Sequence, residues 1–141
     1  MKHFAKIFAI ITISLTSTAV DCYKYDSDIA FTLHNDSDKT IGWYIPTYDE
    51  FLEGVMPDEM PKTLAKSHYH ISPGKSHTFI RGSIPSEYQP DDLLKLYIFD
   101  IETLYDHNWE EVRDKGMYLY CFELSAEEVR KNGNQVSYPA K

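Results

Sequence analysis

Leu93-Leu94-Lys95-Leu96-Tyr97-Ile98-Phe99-Asp100 carries apolar side chains at both odd and even positions. A strand that faces water on one side alternates, whereas this run is greasy in both registers and reads as a central strand covered on each face. The chain on either side of it fits that reading. Ile29, Phe31 and Leu33 alternate with Ala30, Thr32 and His34, as in a half-buried strand. Asn35-Asp36-Ser37-Asp38 is turn chemistry, and Ile41, Trp43 and Ile45 then alternate with Thr40, Gly42 and Tyr44 until Pro46. The two runs are expected to form a hairpin or an inter-sheet connection.

Lys66–Ile71 and Ser76–Arg81 read as two further strands around Ser72-Pro73-Gly74-Lys75, where Pro and then Gly fit the centre of a type II turn. Thr47–Ala65 and Ser83–Asp92 are irregular and hold Pro57, Pro61, Pro85 and Pro90, so they read as connections, the first with room for one short helical turn. Asn108 with Glu111, and Ser125 with Glu128, have the spacing of helix N-terminal capping boxes, and Gly116 and Gly133 end the two short helices they open. Met117–Leu124 and Gln135–Tyr138 close the pattern as strands. The expected fold is mainly β: a β-sandwich, Ig-like or prealbumin-like, of about seven strands with two short C-terminal helices, with α+β as the alternative.

At 141 residues the chain has room for one domain. Met1–Asp21 reads as a signal peptide, with Lys2 and Lys6 before an apolar run from Ile7 to Val20 that is too short to span a bilayer comfortably. Residues 22–28 read as a polar tether, and residues 29–141 as a single sandwich-like domain. Two processing routes fit. Ser17-Thr18-Ala19 suits signal peptidase I and would start the mature chain at Val20. Cys22, directly after the apolar run, suits lipidation, although Asp21 stands where a small residue is usual. The chain has two cysteines, so an unlipidated Cys22 is free to pair with Cys121 in an oxidising compartment. The chain is therefore expected to be exported, as an outer-membrane or periplasmic lipoprotein held to the membrane through Cys22, or else secreted in soluble form.

The net charge of −8 falls on the mature part, since Lys2, Lys6 and Asp21 leave the leader slightly positive. Such a polyanion repels phosphate backbones, which argues against a nucleic-acid partner. His68, His70 and His77 are the sharpest chemical candidates. On a tight hairpin about Pro73-Gly74, His70 would face His77, and the three imidazoles would make a zinc-type patch for a metal-binding protein or a metal-dependent hydrolase. Type II turns splay strands, however, which works against that hairpin, and the expectation is of no resident cofactor. Asp36-Ser37-Asp38 lacks the ligand series of a calcium loop, and Asn35-Asp36-Ser37 is a formal glycosylation sequon. No nucleophile elbow, P-loop or dinucleotide fingerprint is present. Among the aromatics, Trp43 and Trp109 read as core, and Tyr44 is the freer candidate for a sugar-stacking surface.

Leu96-Tyr97-Ile98-Phe99-Asp100, Trp109-Glu110-Glu111-Val112, Phe122-Glu123-Leu124-Ser125 and Asn134–Pro139, with Asn35–Ile41 and Ile71-Ser72-Pro73-Gly74, resemble small exported proteins of Gram-negative anaerobic bacteria. That resemblance covers most of the mature chain and implies an envelope location and lipidation. It carries over no catalytic or binding residue. The function expected is that of a non-catalytic envelope protein that binds an unspecified protein or glycan or serves structurally.

Overall fold

A computed structural model describes residues 30–80 and 93–139. Within them six strands form two three-stranded sheets, and five short α-helices and a 3-10 turn join them. The strands are β1 (Phe31–Asn35), β2 (Ile41–Tyr44), β3 (Ser76–Phe79), β4 (Leu94–Asp100), β5 (Tyr120–Leu124) and β6 (Gln135–Tyr138). The helices are α1 (Tyr48–Glu53), α2 (Lys62–Ala65), α3 (Ile101–Asp106), α4 (Trp109–Asp114) and α5 (Ala126–Lys131). The class is thus mixed and β-rich. The expected count of about seven strands and two helices gives way to six and five among the described residues.

The first sheet runs β3-β1-β6, with β3 antiparallel and β6 parallel to β1, so that Leu33 lies between His77 and Val136. The second runs β2-β4-β5, all antiparallel, with Leu96 opposite Phe122. The turn at residues 36–40 is therefore an inter-sheet connection and not a hairpin. Phe31, Leu33, Phe79 and Val136 from the first sheet share one core with Ile41, Trp43, Leu94, Leu96, Ile98 and Phe122 from the second. On the other face of the second sheet, Tyr44 and Phe99 pack with Leu64 of α2, Ile101 and Leu104 of α3, and Trp109 and Val112 of α4. β4 is greasy in both registers because Leu94, Leu96 and Ile98 point between the sheets and Phe99 points under the helices.

The strand expected at Lys66–Ile71 does not form. Ser67–Tyr69 is a 3-10 turn, and only Ile71 bridges, exchanging hydrogen bonds of 2.8 and 3.0 Å with Ile41 at the edge of β2. The Pro73-Gly74 turn is present, with Gly74 at φ +69° and Lys75 N–H donating to the Ser72 carbonyl at 3.0 Å. It leads the chain from the second sheet to the first instead of folding it back on itself. The helix α3 was not expected. Asp100 ends β4 and caps α3 by accepting from Glu102 N–H at 3.0 Å, while its other oxygen pairs with Lys39.

Gly42 sets how closely α2 and α3 approach the sheet. A Cβ there would lie 2.8 Å from Ile101 Cδ1 and 2.9 Å from Leu64 Cδ2. Both atoms are the ends of flexible side chains, so Gly42→Ala is expected to fold with a repacked outer core at a cost of about 1–3 kcal/mol, read as a lower urea midpoint.

Candidate functional site

The side chains singled out by type are mostly spent on the fold. His68 is exposed on the 3-10 turn and packs on Tyr69, and His70 donates from Nε2 to the Leu64 carbonyl at 2.8 Å. His77 pairs with Leu33 across β1/β3, with its ring 5.0 Å from Trp43 and 4.9 Å from Phe79. The hairpin that would set His70 opposite His77 is absent, and among the described residues no group of three or more metal-ligating side chains is arranged around a common point. Tyr44 is not a free stacking ring: it is buried, and its hydroxyl donates to Glu50. Trp43 and Trp109 are core, as expected. Asn35 is fully buried, which leaves its sequon no room for a glycan in the folded chain. Cys22 lies outside the described residues. Cys121 is half-buried on β5, and burial pushes its thiol pKa up, which disfavours the thiolate.

Burial against the core holds the His77 imidazole below its ordinary pKa. The unfolded chain then takes up the proton first. The contribution of neutral His77 to stability is complete above about pH 6.5 and is lost as pH falls through the lower folded value. The urea midpoint should fall between roughly pH 7 and pH 5, and His77→Phe should flatten that fall. An unchanged pH dependence would contradict the assignment.

One Ser–His contact invites comparison with nucleophilic catalysis. His34, on the outer face of the first sheet, takes the Ser76 hydroxyl on Nδ1 at 2.6 Å and bonds Gln135 through Nε2. Among the described residues the contact is exposed, whereas acyl transfer needs water screened from the substrate.

A concave site lies elsewhere. The end of α1, residues 54–58, the outer face of β4 and the end of α4 enclose an open depression of about 660 Å³. Its position follows from local chemistry. Thr47 and Glu50 form a capping box: Glu50 accepts from Thr47 N–H at 2.6 Å, and Thr47 Oγ1 accepts from Glu50 N–H at 3.4 Å. Tyr44 ties that box to the second sheet. These bonds outweigh the cost of desolvation and hold the Glu50 carboxyl below its usual pKa. Trp109 Nε1 donates to the Pro57 carbonyl at 2.9 Å and pins residues 54–58 against α4. Arg113 then reaches out, with Nη1 on Asp58 at 2.6 Å and Nε on Asp114 at 2.8 Å.

Tyr97 and Tyr118 meet edge to face at 5.1 Å in this depression. Burial, with Cys121 beside it, raises the Tyr97 phenol to about 12, so it stays protonated. Met56 and Val55 add apolar wall, and Glu53 adds a further carboxylate to the rim. A second groove of about 520 Å³ between β5, β6 and α5 is lined by core residues such as Phe122, Val129 and Val136 and has no comparable charged pair. Sequence reading missed the first site because its members lie far apart along the chain. The one local signal was Tyr97, a polar-tipped ring in a strand of mostly aliphatic and aromatic residues.

No described helix is long and apolar enough to cross a membrane. Compared with known proteins, the chain matches no family model, no curated protein and no solved structure.

Proposed function

We propose that this chain is an exported cell-envelope protein, lipidated at Cys22, whose sandwich-like domain acts by binding and not by catalysis. The observation that carries the binding part is the depression beside α4, an open cavity of about 660 Å³ with tyrosine, methionine and an ordered arginine in its lining. Concave sites with apolar walls and a few oriented polar groups are the usual form of a ligand site. The export part rests on the leader-like pattern of residues 1–21 and on the position of Cys22.

We further propose kinship with the small exported proteins of Gram-negative anaerobes that the sequence resembles. The motifs behind that resemblance fall on joints of the fold. Asn35 is buried at the end of β1, Asp100 caps α3, Trp109 and Val112 lie in the outer core, and Gly74 sits in the inter-sheet turn. Motifs of this kind fit a scaffold whose function varies from one member to the next.

The anchoring part is tested by cell fractionation. The unaltered chain is expected in the membrane pellet, and Cys22→Ser is expected in the soluble fraction. A wild-type chain that stays soluble would overturn the anchor.

A further inference from the structure

We propose that the depression between α1, β4 and α4 is a saccharide subsite for neutral sugars, with Tyr118 as the stacking ring and Arg113, Asp58 and Asp114 as hydroxyl partners. This rests on the reading of that depression as the binding face. Tyr118 is 41% exposed although its ring contacts both Tyr97 and Phe99, so one part of it is fixed in place while another stays open to the cavity. Gly116, which ends α4 at φ +59°, lines the depression beside that ring. The C–H face of a pyranose carries partial positive charge and suits the negative face of a tyrosine ring.

Sugar hydroxyls need partners that both donate and accept at fixed positions. Arg113 supplies the donors, because its two aspartate contacts hold the guanidinium in one orientation and engage only some of its N–H groups. The carboxylates supply the acceptors. Ligand charge follows from the same lining. Glu50, Glu53, Asp58 and Asp114 face one cation, Arg113, so an acidic sugar meets repulsion that a neutral one does not. The size of the cavity suits a short oligosaccharide.

The test is an amide chemical-shift titration of the mature chain with maltotriose, cellotriose and chitotriose, and with trigalacturonate as the acidic comparison. At least one neutral trisaccharide is expected to move the Asp58, Gly116 and Tyr118 amides saturably, and trigalacturonate is expected not to. Tyr118→Ala and, as a milder variant, Arg113→Lys should each weaken binding roughly tenfold or more. Tyr105→Ala, which removes a 74% exposed tyrosine outside the depression, should leave it unchanged. Absence of saturable shifts with every neutral sugar, or binding indifferent to both Tyr118→Ala and Arg113→Lys, overturns the proposal. A lysine-rich decapeptide makes the last arm. If it moves the same amides where the sugars do not, the saccharide assignment falls and the binding face stands. If nothing moves them, both fall.

Discussion

Asn35→Ala is expected to cost about 3–5 kcal/mol, a large part of the stability of a domain this size. Asn35 is fully buried, and its amide uses all four hydrogen-bonding positions. Nδ2 donates to the Lys39 carbonyl at 2.7 Å and to the Ile71 carbonyl at 2.8 Å. Oδ1 accepts from Ser37 N–H at 3.1 Å and from Ser37 Oγ at 2.6 Å. Its backbone is engaged as well: Asn35 N–H donates to the Lys75 carbonyl, and the Asn35 carbonyl accepts from Gly74 N–H. One residue therefore ties the end of β1, the inter-sheet connection and the Pro73-Gly74 turn. Alanine removes four hydrogen bonds at about 0.5–1.5 kcal/mol each, although the Ile71 carbonyl keeps Ile41 N–H and Ser37 Oγ keeps Lys39. Aspartate should be no better, because it sets a carboxylate against the Lys39 and Ile71 carbonyls. Urea unfolding followed by tryptophan fluorescence measures the loss, and a change below about 1 kcal/mol would contradict this role.

Truncations on opposite faces of β4 should both be severe. Leu96 is fully buried between the sheets, and Phe99 is fully buried under the helices. Leu96→Ala should lose about 2–5 kcal/mol and Phe99→Ala about 3–5 kcal/mol. A strand with one wet face would show a large loss for one position only. The two side chains belong to different clusters, so the double variant should come close to the sum of the singles. A Phe99→Ala loss within about 0.5 kcal/mol of zero would mean that the helical layer contributes little to the fold.

What could be read in the sequence was what is local. The double-faced run at 94–100, the alternation at 31–35 and 41–44, and the Ser125–Glu128 capping box all appear where the pattern places them. Asn108 likewise caps α4 by accepting from Glu111 N–H, but Glu111 itself turns to His107 and Lys115 instead of reaching back. At 66–71, alternating His and apolar residues imitate a strand, but the edge of β2 accepts only Ile71, and His70 is drawn to the end of α2. The helix α3 was hidden because Asp100 both ends the central strand and caps the next element. The depression was hidden because Glu53, Asp58, Tyr97, Arg113 and Tyr118 come together only once the second sheet and its helical layer are built.

The same logic accounts for the chemistry that sequence alone suggested. Histidines, a sequon and exposed-looking aromatics are conspicuous by residue type, yet His70, Asn35 and Tyr44 each hold a neighbour in place. Among the described residues, an aromatic and ionic hollow stands open on the helical side of the second sheet.

All of this concerns an envelope protein only if the N-terminal stretch is a removable export address. The intact mass of the protein isolated from its native host tests that most directly. The account predicts a polypeptide that begins at Cys22 and carries acyl chains on that first residue. A chain that keeps Met1 and carries no lipid would contradict it.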